Sequence, residues 1–136
     1  MLFLDIDGVL HSGEDAAEAS EYWVWLPGLV QLLDGYDDVR IVIHSSWRYE
    51  RTLDELRTVL GALGPRVIDT TPRSARWDSI QWWMSQNYKQ VTSWRVLDDA
   101  PAQFPTPPPA ELILCDPARG VSAPDVQAAL RDWLDA

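Results

Sequence analysis

The feature that most constrains this chain is the recurrence of five short apolar runs, rich in β-branched residues, with helical patterns between most of them. They are LFLDI (2–6), VRIVIHS (39–45), RVID (66–69), WRVLD (94–98) and ELILC (111–115). Strands this continuously apolar need cover on both faces, as in a parallel sheet whose crossovers are helices. The expected fold is α/β: three Rossmann-like layers around a central five-stranded parallel sheet, with no large cap domain. Pro27 marks a helix start, and PGLVQLLDGY ends near Gly35. A second helix is expected over 48–63, with Leu53, Leu56, Val59, Leu60 and Leu63 at helical spacing and Gly64 and Pro65 stopping it. A third, over 74–88, buries Ile80, Trp83 and Met84, and Ser122 caps a last one carrying Val126, Ala129, Leu130, Trp133 and Leu134 on its apolar side.

Two stretches break this alternation. HSGEDAAEASEYWVW (11–25) is too acidic and small-chained for a core, so it is expected to form a flap beside the end of the first strand. PAQFPTPPPA (101–110) is expected to be a stiff connection. Neither is long enough for a second domain, and 136 residues with 46% hydrophobic content suit one domain over 1–136.

The charge balance restricts partners. With 21 acidic and 11 basic residues the formal net charge is -10, which argues against a general polyanion-binding surface, because backbone phosphate affinity needs excess Lys and Arg. A local basic site is still allowed. The one cysteine, Cys115, lies in an apolar run and reads as a small buried residue suited to a reducing compartment. No stretch approaches the roughly 20 apolar residues of a membrane span, and no basic segment precedes the first apolar run. The expectation is a soluble, cytoplasmic protein with no membrane partner.

Ligands of open parallel sheets collect at the carboxyl ends of the strands. Those ends carry Asp5 and Asp7, then Ser45 and Ser46, then Asp98 and Asp99. Strand geometry points Asp5 and Asp7 to the same side, where they repel unless a hard cation lies between them or one keeps its proton. Four acids meeting in one crevice describe a divalent-metal site.

The stretch DIDGVL resembles the first motif of the haloacid dehalogenase-like (HAD) phosphatases; IVIHSS matches their Ser or Thr at the second strand, and RVLDD their acidic pair at the fourth. More narrowly, IHSSWR, DTTPR, RWDSIQWW and CDPARGV look like the small capless HAD domains found alone or fused to RNA-repair enzymes. The resemblance implies that Asp5 is the nucleophile and Asp7 the general acid and base, a role that asks for a carboxyl able to hold a proton near neutrality. It implies Mg2+ held by Asp5, the Asp7 main-chain carbonyl and Asp98, with Asp99 supporting the ligand shell. Ser45 would donate to a phosphate oxygen, with the Ser46 amide close by, and Gly8 would let the chain turn sharply beside the phosphate. The basic residue that pairs Asp5 with the phosphoryl group is expected to be Arg76, ahead of Arg73 and then Lys89.

Other residues are read as structural. His11 belongs to the flap, His44 is a satisfied interior histidine, and Asp116 serves a turn before Pro117. Trp82, Trp83 and Trp133 are expected in the core, while Trp23, Trp25 and Trp47 lie nearer the crevice as a substrate wall.

The function expected is a Mg2+-dependent phosphatase acting on a phosphomonoester through an aspartyl-phosphate. A response-regulator receiver would carry its phosphoacceptor on the third strand, which here ends VIDTTP, and a Lys on the fifth, where there is none. A non-catalytic phosphate- and metal-binding module is the other alternative. Asp7 argues against dehalogenation, since halide departure needs no acid. Short loops leave the crevice open to a phosphorylated nucleic-acid end, with Arg48, Arg51, Arg73 and Arg76 as a basic patch, or to a small metabolite under the flap.

Overall fold

The structure is a computed structural model that describes residues 1–13 and 22–136. Residues 14–21, the middle of the expected flap, lie outside the described residues.

Five parallel strands form one sheet in the order β3-β2-β1-β4-β5. They are β1 (Leu2–Leu4), β2 (Ile41–Ile43), β3 (Val67–Thr70), β4 (Arg95–Asp98) and β5 (Leu112–Leu114), and the helices are α1 (Leu26–Leu33), α2 (Leu53–Val59), α3 (Arg76–Asn87) and α4 (Pro124–Leu134). The chain steps outward from β1 to β3, then returns to the other side of β1 as β4. Right-handed crossovers put α1 and α2, made during the outward steps, on one face and α3 and the β4–β5 connection, made after the reversal, on the other, while α4, after the last strand, packs back on the first face.

Side chains follow that division. Leu2, Leu4, Ile41, Ile43 and Leu97 pack with Leu29 and Leu33 of α1, Leu56 of α2, and Val126 and Leu130 of α4. Their neighbours in the pleat, Phe3, Val42 and Val96, face Ile80 and Trp83 of α3 and Phe104 of the proline-rich connection. Each fully buried large side chain contributes about 1.5–3 kcal/mol. The three-layer α/β fold is therefore the one expected. Among the described residues no cap domain interrupts it; only 71–75 separate β3 from α3. No helix among them is long and apolar enough to cross a membrane.

Several local expectations are corrected. The helix expected over 48–63 is α2 alone, because Thr52 and Glu55 form a reciprocal capping box, each accepting the other's backbone N–H at 3.1 Å, which starts the helix there. Single 3-10 stretches flank it at Ser46–Tyr49 and Gly61–Arg66. Ser122 does not cap α4: its hydroxyl donates to the Arg119 carbonyl, and Ala123 occupies the cap position. Trp82 is 53% exposed, since it lies one residue off the face that buries Trp83. Cys115 is buried, and burial first of all pushes its thiol far above the usual range.

Candidate active site

Register brings the strand ends together. Leu4 lies level with Ile43 on one side and Leu97 on the other. The residues that follow, Asp5 after β1, His44 and Ser45 after β2, and Asp98 closing β4, share one sheet edge beside the point where strand order reverses. The Asp5 backbone N–H still donates to Leu97 at 3.0 Å, which ties the two acidic segments.

Asp5 and Asp98 are fully buried. One oxygen from each of Asp5, Asp98 and Asp99 lies within 4.8 Å of the other two. Arg76, at the start of α3, answers part of this charge: its Nη1 is 3.1 Å from Asp5 Oδ2 and 2.8 and 3.0 Å from Asp98 Oδ1 and Oδ2. Asp98 also accepts from His44 Nε2 at 2.7 Å and from the Ala100 N–H at 2.9 Å. Asp5 Oδ1 is buried with no hydrogen-bond partner among the described residues.

The two buried acids respond in opposite directions. Burial, then the Asp98 charge, push the Asp5 carboxyl well above the ordinary carboxylate range, against the pull of Arg76. Burial also raises Asp98, but the His44 N–H, Arg76 and the Ala100 N–H outweigh it and leave that group below its usual value. Asp99 is raised, mainly by burial. Burial lowers His44, whose Nδ1 has no partner among the described residues, so among them this histidine is satisfied on one nitrogen only, contrary to the reading above.

Gly8 is required by two constraints. Its φ is +76°, a region L side chains rarely enter, and a Cβ there would stand 2.1 Å from Asp99 Oδ2. The close approach of backbone and carboxylate fixes Asp99 beside the turn.

Asp7 departs from its expected place. The strand ends at Leu4, so alternation no longer holds beyond it, and Asp7 is not among the three clustered acids. Its Oδ1 is 2.7 Å from His11 Nε2 and its Oδ2 accepts the Trp47 indole N–H at 3.1 Å. The His11 bond, opposed by burial and aided by Trp47, holds this half-exposed carboxyl below its ordinary value. That favours the anion rather than the protonated form expected near neutrality.

The other expected residues divide. Ser45 is buried and accepts the Trp47 backbone N–H at 3.2 Å, which leaves its own O–H to donate, whereas the side chain of Ser46 is exposed. Arg73 donates to the Tyr49 carbonyl and lies over the Tyr49 ring rather than on the acids. Lys89 follows α3 and lies over Tyr88. Arg48 is removed from the expected basic patch: it is buried and donates to the carbonyls of His44, Ser45, Thr71, Pro72 and Ser74, bracing the loops after β2 and β3. Trp23 and Trp47 do line the neighbourhood of Asp7, with rings 5.0 Å apart. Trp25 instead packs on the backbone of Gly120, where a Cβ would meet its ring at 2.4 Å. Asp116 serves the expected turn, accepting from the Ala118 N–H at 2.9 Å.

Sequence reasoning missed His11, which is fully buried and not a surface flap residue. Its spacing of four from Asp7 was the available signal.

A hard divalent cation fits this donor set. Three carboxylates supply only oxygen, their negative charge is incompletely met by Arg76, and the buried Asp5 Oδ1, without a hydrogen-bond partner among the described residues, is a further oxygen such an ion could take.

Comparison with the curated proteins and with the solved structures gives no significant match. One family model does match, over residues 1–126, and it covers every strand and all the acids described above. By that match the chain belongs to the family described as the HAD domain in Swiss Army Knife RNA repair proteins.

Proposed function

We propose that this domain is a Mg2+-dependent phosphomonoesterase that works through an aspartyl-phosphate on Asp5. The carrying observation is the convergence of the buried Asp5 and Asp98 with the partly buried Asp99 and Arg76 in one cluster at the strand-order reversal. HAD domains in general are hydrolases of phosphoesters, and family membership supports the same class.

Asp5, Asp98 and Asp99 would hold Mg2+, with the Asp7 main-chain carbonyl as a further candidate ligand; the bound ion supplies charge neutralisation for the nucleophile and the phosphoryl oxygens. A carboxylate oxygen of Asp5 attacks phosphorus, and the bond from phosphorus to the ester oxygen breaks. Asp7, an anion at rest, takes up a proton from the substrate's phosphate monoanion and passes it to that oxygen. Asp7 then takes a proton from water, whose oxygen attacks phosphorus and releases Asp5 and inorganic phosphate. Arg76 offsets charge on Asp5 and the phosphoryl group, and the Ser45 hydroxyl donates to a phosphoryl oxygen, with the Ser46 amide beside it. His44 orients Asp98 through the 2.7 Å bond.

A phosphorylated nucleic-acid end is the substrate the surroundings favour. The family description names RNA repair proteins, and Arg51 stacks 4.0 Å over the Trp47 ring beside Asp7, a cation and an aromatic face together. The net charge of -10 limits contact to the end of such a chain rather than its length. The buried Cys115 suits a reducing cytosol.

Hydrolysis of an aryl phosphate with and without Mg2+, in wild type and Asp5→Asn, tests the reading. Metal-dependent turnover that nearly vanishes in the variant is expected; equal rates remove Asp5 from the chemistry. Faster release from an oligonucleotide 3'-phosphate than from sugar phosphates is expected for the substrate class.

A further inference from the structure

Asp7 is half-exposed, outside the carboxylate cluster, and held by two groups that come from different parts of the chain. His11 is fully buried among the rings of Tyr22, Trp23 and Trp47, at centroid distances of 4.7, 5.1 and 5.9 Å. The Trp23 backbone N–H lies 3.4 Å from His11 Nδ1 and can only donate, so Nδ1 is the acceptor and the ring hydrogen sits on Nε2. Nε2 therefore donates to Asp7 Oδ1. The Trp47 indole, which also can only donate, meets Oδ2. Trp23 adopts φ +65°, a costly conformation for a bulky aromatic residue, and it is this residue's N–H that sets the His11 ring.

We propose that His11 and Trp47 are positioning residues that hold the Asp7 carboxylate by one N–H on each oxygen and keep it at the crevice mouth, away from Asp5, Asp98 and Asp99. An unrestrained carboxylate two residues from Asp5 would be drawn toward a bound cation and lost as a carrier of protons. Each Asp7 oxygen keeps a second lone pair, so a proton can be taken up and given without releasing either N–H. The role assigned to Asp7 rests on the phosphatase reading, whereas the manner of its holding rests on geometry alone.

His11→Phe removes the donor and keeps a ring, His11→Gln returns an N–H near the Nε2 position, and Trp47→Phe removes the second donor at a partly exposed site. With the Phe variants, kcat should fall about 10²-fold on phenyl phosphate and about tenfold less on 4-nitrophenyl phosphate, whose oxygen leaves without help, with KM changed less than about threefold. His11→Gln should recover most of the loss. Nitrogen-15 NMR of the wild-type histidines, assigned with His11→Gln, should find His11 protonated at Nε2. Equal losses on both esters in folded His11→Phe and Trp47→Phe, or no recovery with Gln, would overturn the proposal, as would a His11 ring protonated at Nδ1. Because the ring tautomer is read without turnover, an inactive wild type would sink the phosphatase reading and leave the holding of Asp7 still decided by the spectrum.

Discussion

Arg76 reaches from the first turn of α3 to Asp5, with Nη1 3.1 Å from Oδ2. The same nitrogen bonds Asp98, so one guanidinium group spans the ends of the two strands that flank the topological reversal. Sequence alone offered three basic candidates; only Arg76 touches the acids.

Replacing Arg76 should therefore affect chemistry more than folding. Arg76→Met is expected to lower kcat/KM about 10²-fold, the usual cost of losing one preorganised donor to a transferring group. Arg76→Lys should recover only part of it, because the ammonium keeps the charge but not the planar guanidinium geometry that holds Nη1 against both carboxylates. Steady-state kinetics on an aryl phosphate checks this. A loss of less than twofold in the Met variant would leave Arg76 as a structural tie.

The raised Asp5 carboxyl carries a stability prediction for the metal-free protein. A group whose folded value lies above its unfolded one binds extra protons in the folded state, so its contribution declines as pH rises from the ordinary carboxylate range through the raised value. His44 acts oppositely: its lowered value makes stability rise with pH through the ordinary histidine range. The difference between wild type and Asp5→Asn isolates Asp5. In EDTA, Asp5→Asn should melt higher than wild type at pH 8, and the gap should narrow on acidification. Added Mg2+ should stabilise wild type and not the variant, as thermal melts at several pH values would read.

Gly8→Ala probes the carboxylate cradle. The new Cβ would collide with Asp99 at a φ that alanine tolerates poorly, so Asp99 must shift. Mg2+ affinity should weaken by about 10–100-fold, in the range for disturbed supporting groups of a metal site. Isothermal titration of the folded variant gives the value, and unchanged affinity would take Asp99 out of the site.

Arg48 predicts a loss of stability instead. Its guanidinium group serves carbonyls on both the β2 and β3 loops, which Arg48→Met would leave buried and unpaired. A loss of about 3 kcal/mol is expected. At this chain length that lowers Tm by about 10 °C. Calorimetry would measure it, and a drop under about 3 °C would mean that water replaces the brace.

The sequence disclosed what periodicity and strand ends can encode. The apolar runs of β1 to β5 located the sheet, and their terminal acids located the crevice, because a two-residue alternation and a strand's carboxyl end are local properties. Side-chain direction after the strands was not local. Asp7 follows a strand that stops at Leu4, so its orientation depends on His11 and on Trp47 from a distant loop. Arg48 looked like surface charge since nothing nearby shows five carbonyls converging on it from two loops. Trp25 left its expected place for a similar reason, since Gly120, on which it packs, is far along the chain, whereas Trp82 falls one residue off the buried face of α3.

The central claim is that phosphorus becomes bonded to Asp5 during turnover. Wild type mixed with an aryl phosphate and Mg2+, quenched within milliseconds and reduced with borohydride, converts an acyl phosphate to an alcohol that peptide mass spectrometry can place. The account predicts homoserine at position 5 in the wild type, in an amount that follows turnover. Reduction at another residue, or an unmodified Asp5 while product accumulates, would contradict it.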